Sequence, residues 1–194
     1  MNAENKDRRI RRTEKLIKQG LCEMIKKKSL KDITVKDITD VADLNRRTFY
    51  LHYKDIYDLL EQIEKNLIKE FKELLENCHP IMFHDSAYRC VEVLLQHVYD
   101  NLNLLKVIVT NNTNILDKLM NIAISYALNS SSDIYKDDDE NVKYAFVFII
   151  FGTIGIVKKW IDDGTNISPH QMSIMINDFI AHGLTSIRLK KSLL

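Results

Sequence analysis

The side chains best suited to chemistry lie together in residues 44–54, which contain two adjacent arginines, two tyrosines and a histidine. Arg46 and Arg47 stand where the first turn of a short helix is expected. Two guanidinium groups at that place can each bond O6 and N7 of guanine in the major groove of DNA. The hydroxyl of Tyr50 and the imidazole of His52 suit phosphate oxygens, which fix the register of a protein without reading sequence. The pattern favours DNA recognition, although a polar helix face around a core phenylalanine would have the same spacing.

Two short helices are expected to position these side chains. Thr34 is a favourable N-cap and Asp37 follows three residues later, which is the spacing of a capping box and predicts a helix over residues 35–41. A short turn should follow, with Asn45 as the cap of a second helix over residues 46–52. The hydroxyl and the amide N–H of Thr34 are expected to hold a further phosphate. Two short helices joined by a tight turn are typical of a helix-turn-helix.

The composition favours a helical protein with an anionic partner. Hydrophobic residues make up 45% and charged residues 28%, but there are only five glycines and two prolines, which indicates few, long elements. No glycine-rich phosphate loop is present, so the common nucleotide enzymes are excluded. The net charge of +1 divides into +7 for residues 1–54 and −6 for residues 55–194. A basic head of this kind favours a polyanion as its partner.

Helical periodicity continues along the chain, and we expect an all-α protein. The predicted helices beyond the first 54 residues cover 55–78, 85–100, 101–109, 114–128 and 140–162, and a last one opens at Ser168-Pro169-His170-Gln171. An earlier helix is predicted over residues 7–28, and residues 129–139 should form a surface loop. The longest apolar run, residues 144–157, is shorter than the ~20 residues that span a bilayer, so we predict a buried helix.

Metal and redox chemistry are not expected. Cys22, Cys78 and Cys90 lack a CxxC spacing and are interpreted as buried helix thiols in a reducing cytoplasm. His79 and His84 straddle a proline loop and are interpreted as exposed residues rather than metal ligands. We therefore predict no catalytic residue, no metal and no cofactor. The N-terminus lacks the apolar segment of a secretory signal, which favours a cytoplasmic protein without a membrane partner.

At these residues the chain resembles the TetR family of bacterial transcriptional regulators. The resemblance is specific over residues 10–60 and is carried by Thr-Val-Lys-Asp-Ile-Thr at 34–39, Thr-Phe-Tyr-Leu-His-Tyr at 48–53 and Asp-Leu-Leu at 58–60. Asp43 replaces the usual turn glycine, and Ile56 replaces a lysine that often touches phosphate, a contact that Lys54 is expected to supply. The resemblance implies that the matching residues lie at the DNA, and the full predicted set is Thr34, Val35, Lys36, Asn45, Arg46, Arg47, Thr48, Tyr50, His52 and Lys54.

The C-terminal part is similar to one C-terminal type of this family, in which an apolar helix ends in a tryptophan and an acidic glycine loop, here residues 160–164. The resemblance implies a three-helix DNA-binding domain over residues 1–54 and a helical effector-binding and dimerisation domain over residues 55–194. The last two helices would pair between subunits. The expected dimer interface contains Ile156, Trp160, Met172, Met175, Ile176, Phe179, Ile180, Gly183, Leu184 and Ile187. The expected effector pocket contains Phe71, Tyr88, His97, Tyr126 and Phe148.

These features together predict a homodimeric repressor that binds a double-stranded DNA operator and is released by a small, mostly apolar or neutral effector. Two alternatives stay open. One is a co-regulator or activator of the same fold that acts through a protein partner. The other is a helical-bundle enzyme or binding module with an incidental basic head, which would need paired Glu-x-x-His motifs that the sequence lacks.

Overall fold

The computed structural model describes residues 3–77, 87–111, 114–131 and 140–191 of the chain. These residues contain helices and no strand, which confirms the predicted all-α class. A short 3-10 helix covers Leu30–Asp32. The α-helices are α1 (Ala3–Ile25), α2 (Val35–Val41), α3 (Arg46–Tyr50), α4 (Ile56–Asn77), α5 (Ala87–Asp100), α6 (Leu102–Asn111), α7 (Ile115–Ser131), α8 (Glu140–Asp162) and α9 (Pro169–Lys191).

The chain divides into two compact units, and the division falls inside α4. The first unit consists of residues 1–66 and 103–113, and the second of residues 67–102 and 114–194. The division therefore lies twelve residues after the predicted boundary at residue 54. The first half of α4 belongs to the first unit because it supplies apolar side chains, such as Leu59 and Ile63, that are buried.

In the first unit, α1 packs on α2 and α2 packs on α3. Gly20 permits the close approach of α1 to α2, because a Cβ added there would lie 2.7 Å from the carbonyl oxygen of Ile38. The centre of the unit is formed by fully buried side chains, which include Ile17, Leu21, Ile38, Phe49 and Leu59. This core holds the two short helices α2 and α3 in a fixed arrangement.

In the second unit, α9 packs on α5 and α8, and α7 packs on α8. Trp160 is buried at the end of α8, and its indole N–H donates to the carbonyl oxygen of Ile167 at 2.9 Å. The loop between α8 and α9 turns through Gly164 and Thr165, which both have positive φ. Ser168 then caps α9, because its hydroxyl oxygen accepts from the amide of Gln171 while the Gln171 side chain accepts from the amide of Ser168.

The expectation that α8 is a buried helix is wrong. Residues Lys143–Asp162 are long and apolar enough in composition to cross a membrane, yet only 17% of this window is buried within the chain. One side of the helix exposes Tyr144, Phe148 and Phe151. Among the described residues, neighbouring helices cover only part of the surface of α8, and its remaining apolar side is left open in a single copy of the chain.

The cysteines also differ from expectation. Cys22 is a free, buried thiol as predicted, and burial raises its pKa to about 11. Cys90 is disulfide-bonded, so the prediction of a free thiol is wrong at this residue. The predictions for Cys78, His79 and His84 fall outside the described residues.

Candidate nucleic-acid interface

The N-terminus of α2 is fixed by the predicted capping box. The hydroxyl oxygen of Thr34 accepts from the amide of Asp37 at 3.2 Å, and a carboxylate oxygen of Asp37 accepts from the amide of Thr34 at 2.7 Å. Lys28 donates to the same carboxylate oxygen at 2.7 Å. The hydrogen bond from Lys28, and then those from Thr34, hold the pKa of Asp37 well below its usual range.

This arrangement corrects the prediction for Thr34. The hydroxyl and the amide of Thr34 both donate to Asp37, so they are not free to hold a phosphate as expected. Thr34 therefore positions α2 rather than contacting DNA through those donors. Lys28 ties the segment after α1 to the start of α2.

The turn between α2 and α3 forms without the glycine that is usual at this place in the proteins that the sequence resembles. Asp43 has a φ of 51°, in the left-handed region that aspartate tolerates better than most residues. The amide of Leu44 donates to the carbonyl oxygen of Thr39 at 2.9 Å and closes the turn. Asn45 then caps α3, because its side-chain oxygen accepts from the amide of Arg47 at 2.8 Å. The predicted cap is confirmed, and α3 ends at Tyr50, two residues earlier than expected.

Two buried aromatic rings set the rotation of α3. Phe49 and Tyr53 are almost fully buried, and their ring centroids lie 5.6 Å apart. Burial is the main reason that the pKa of Tyr53 is raised to about 12. Because Phe49 points into the core, Arg46 and Arg47 on the same short helix are left exposed.

The exposed side of α2, α3 and the segment after α3 is basic and aromatic. The predicted residues that lie exposed are Thr34, Lys36, Asn45, Arg46, Arg47, Tyr50 and Lys54, whereas Val35 and Thr48 are half-buried. Sequence reasoning missed Leu51, which is 75% exposed at the end of α3. Helix geometry could have found it, because residues two apart lie ~200° apart around a helix and Phe49 is buried. An exposed apolar side chain at this place suits contact with a thymine methyl group.

His52 does not project outward as the sequence predicts. Its side chain is only 13% exposed, and its Nδ1 lies 3.5 Å from Oε1 of Glu14 in α1. The contact joins the segment after α3 to α1. The contact between His52 and Glu14 therefore holds the end of α3 against α1.

The expected effector residues all belong to the second unit. Phe71, His97 and Tyr126 are half-buried, and Phe148 is 78% exposed, so it does not line an interior of the single chain. The side chain of Tyr88 lies outside the described residues. Nε2 of His97 is buried and makes no hydrogen bond, and Oε2 of Glu70 approaches it at 3.3 Å. Within the described residues, no cluster of histidine, cysteine and acidic side chains could hold a metal ion.

The expected dimer interface is partly wrong. Trp160, Met172 and Ile176 are buried together with Leu95 in the core of the second unit, so their side chains are not available to a partner. Ile156, Met175 and Ile180 are half-buried against that core, and Phe179 is 59% exposed. The side chains of Gly183, Leu184 and Ile187 lie outside the described residues. On α8 and α9, the exposed apolar residues that this prediction omitted are Tyr144, Phe148, Phe151 and Ile174.

Residues 85–182, just over half of the chain, match the TetR-type family described as the transcriptional regulator C-terminal region. No curated protein matches the chain. Among solved structures, it is similar to the dihydroxyacetone kinase operon activator DhaS, with a TM-score of 0.64 and 19% identity over 91% of this chain and 97% of that one.

Two further solved structures have a similar fold. The transcriptional regulator FadR from Bacillus subtilis, in complex with stearoyl-CoA, has a TM-score of 0.59 and 20% identity over 87% of this chain and 97% of that one. A TetR transcriptional regulator from Streptococcus agalactiae 2603V has a TM-score of 0.56 and 19% identity over 92% of this chain and 99% of that one. At these identities the likenesses show a common fold.

Proposed function

Because the chain belongs to the TetR family of transcriptional regulators, which are not enzymes, we propose that it is a homodimeric repressor released by a small-molecule effector. It would act in the cytoplasm on an operator in double-stranded DNA. The observation that carries the DNA-binding part is the exposed pair Arg46 and Arg47, held outward by the buried rings of Phe49 and Tyr53.

The two kinds of DNA contact would come from different residues. Arg46 and Arg47 have the fork geometry for guanine, and Leu51 has the apolar surface for thymine. Lys36, Tyr50 and Lys54 are exposed and suit phosphate oxygens. The first group would select the sequence, and the second would fix the position of the head on the duplex.

A second copy of the chain is the partner that best fits α8. One helix-turn-helix reads few base pairs, so specific binding calls for two heads separated by ~34–36 Å, one turn of DNA. Tyr144, Phe148, Phe151 and Gly155 follow one another at three- and four-residue steps, so they form one exposed apolar stripe. Among the described residues, no atom lies within 4 Å of a Cβ added at Gly155, so another helix has room to approach closely. An apolar stripe of this kind is typical of permanent dimer interfaces.

The effector would bind among the half-buried residues of the second unit. His97 supports this placement, because its buried Nε2 lies 3.3 Å from Oε2 of Glu70 without an aligned hydrogen bond, so the pair can offer polar contacts to a ligand. Phe71 and Tyr126 offer apolar and aromatic surface. FadR, which has a similar fold, is in complex with stearoyl-CoA, and the acyl chain of that ligand agrees with an apolar site whereas its polyanionic coenzyme A part does not. Since α4 belongs to both units, a ligand that moves its second half can change the placement of the DNA-binding head.

An activator of the same fold is the second candidate, favoured by the description of DhaS as an operon activator. The first experiment is to select duplexes from a random library with the purified protein alone. We expect recovery of a sequence with two related half-sites. A reporter under that sequence then separates the candidates, because a repressor lowers transcription and an activator raises it. Recovery of no preferred sequence would contradict both.

A further inference from the structure

We propose that the exposed basic side of α1 binds the phosphate backbone of DNA next to the base pairs read by α3. This would be a second DNA-contacting surface, separate from the helix-turn-helix. The inference rests on the proposed function, because it requires a head that binds DNA. The surface, termed the α1 basic face, consists of five exposed cations: Arg8, Arg9, Arg11, Arg12 and Lys15.

The cations of the α1 basic face are not paired with carboxylates in the part of the chain that the structure describes. None of the five forms an ion pair with a described residue, although Asp7 and Glu14 lie one helical turn on either side of Arg11. Some exposed lysines on other helices do pair with a carboxylate one turn away, as Lys65 does with Glu61 at 2.6 Å. The five cations of the α1 basic face lack such a partner among the described residues and are available to an anion from outside.

The charges of this face also oppose one another. Arg8 lies three residues before Arg11 and four before Arg12, and Arg11 lies four before Lys15. Like charges at these spacings destabilise a helix, because their side chains are neighbours on its surface. An anionic partner would remove this repulsion. Since the described part of the chain supplies none, the face is suited to an anion from outside.

The α1 basic face lies close to the end of α3. Glu14 in α1 approaches His52 at 3.5 Å, and His52 follows α3 by two residues. Arg11 precedes Glu14 by three residues, which places their Cβ atoms about 5–6 Å apart on the same side of α1. The basic face therefore begins within one helical turn of the contact that joins α1 to the segment after α3. A DNA duplex bound to α3 can therefore extend past this contact and reach the α1 basic face.

The composition of the face indicates phosphate as its ligand. Four of the five cations are arginines, whose planar guanidinium group bonds two phosphate oxygens at once. Such contacts carry no base information, so they would strengthen binding to all duplexes alike. They would also add to the salt dependence of binding, because each phosphate contact releases bound counterions.

The test compares two double variants that each remove two charges. In the first, Arg8→Gln and Arg11→Gln remove cations from the α1 basic face. In the second, Lys65→Gln and Lys69→Gln remove lysines of α4 that pair with carboxylates of their own helix. Binding to a duplex selected from a random library by the wild-type protein is measured by fluorescence anisotropy over a series of salt concentrations.

We expect the arginine variant to bind more weakly at low salt. The slope of log K against log salt should become less negative by about 0.9 for each phosphate group that the variant no longer neutralises. Its preference for the selected duplex over a scrambled one should stay at the wild-type value. The lysine variant should keep the wild-type slope. Glutamine has a helix propensity close to that of arginine, and circular dichroism of both variants checks that the fold is retained.

An arginine variant with the wild-type slope would overturn the inference. If Arg46→Ala together with Arg47→Ala still loses selective binding in that case, the proposed function stands without it. Failure of the wild-type protein to select any duplex would overturn both. If the arginine variant keeps its DNA binding but no longer binds vesicles of phosphatidylglycerol that the wild-type protein binds, the partner of the face is an anionic lipid surface and the inference is wrong.

Discussion

At the scale of single residues, the local contacts of the DNA-binding head were predictable and the distant ones were not. The capping box of Thr34 and Asp37 depends on a spacing of three residues, which the sequence displays directly. The pairing of Lys28 with Asp37 depends on how the 3-10 segment returns the chain to α2, and that of His52 with Glu14 depends on the packing of α1. Spacing along the sequence carries no signal for these two contacts.

The first prediction concerns base recognition. We expect Arg46→Ala or Arg47→Ala to reduce discrimination at particular base pairs by ~1–3 kcal/mol where the arginine bonds guanine at two points. Tyr50→Phe removes only a hydroxyl suited to phosphate, so it should weaken binding to all duplexes equally. Competition between the selected duplex and single-base variants measures both effects. Full selectivity in the Arg46→Ala, Arg47→Ala double variant would contradict the assignment.

The second prediction concerns Asp37. We expect Asp37→Asn to lower the midpoint of thermal unfolding by about 2–4 °C at pH 7, because it removes the ion pair with Lys28 and weakens the cap of α2. The lowered pKa of Asp37 means that the carboxylate stabilises the fold above the unfolded pKa of ~3.9, and that this stabilisation is lost as the pH falls below it.

The difference between the wild-type protein and Asp37→Asn should therefore be constant near neutral pH and shrink in acid. Asp40→Asn is the matched control, because Asp40 is exposed on the same helix. A difference that grows as the pH falls would contradict the assigned role of Asp37.

At the scale of elements, the sequence predicts where helices lie better than what they contact. The bounds of α2 and α8 were predicted at both ends, because caps and apolar periodicity are local signals. The family resemblance placed Trp160, Met172 and Ile176 on an interface between subunits, but α5 supplies Leu95 to cover them within the unit. Helices that are distant in the sequence determine which apolar face is buried within the chain and which stays exposed. The apolar pattern of a single helix does not show which of its faces will be buried.

The third prediction concerns the exposed stripe of α8. We expect Phe148→Asp to raise the dissociation constant of the dimer by about thirtyfold or more, since disrupting a central interface residue costs ~2 kcal/mol or more. Val93→Asp introduces the same charge at an exposed apolar position of α5 outside the stripe, and it should leave the dimer intact. Sedimentation equilibrium measures both. A wild-type monomer at micromolar concentration, or dimeric Phe148→Asp, would show that α8 has another use.

At the scale of the whole molecule, the sequence predicted two functions in one chain but placed their boundary at residue 54. The net charge does change near residue 54, but the boundary of the compact unit is set by the burial of side chains rather than by net charge. Leu59 and Ile63 extend the first unit into α4 beyond that residue. A boundary inside a helix has no glycine, proline or polar linker to mark it.

The fourth prediction concerns coupling between the two functions. If an effector releases the operator, then the operator must weaken effector binding by the same factor, because the two equilibria are linked. Coupling energies of ~1–3 kcal/mol are usual, which corresponds to about 5–150-fold. Titration of a ligand isolated from the protein, with and without the selected duplex, measures the factor. Equal affinities would exclude a ligand switch and favour a constitutive or partner-controlled regulator.

Because α4 passes from one unit into the other, inserting residues into this helix has a predictable effect on DNA binding. Each residue added to a helix turns everything beyond it by ~100° and moves it by ~1.5 Å. One alanine inserted between Asn66 and Leu67 would therefore misdirect the two heads of a dimer. Seven inserted residues restore the angle to within about 20° but lengthen α4 by ~10.5 Å. We expect both insertions to abolish binding to the original operator, and only the seven-residue protein to recover binding when the spacing of the half-sites is changed.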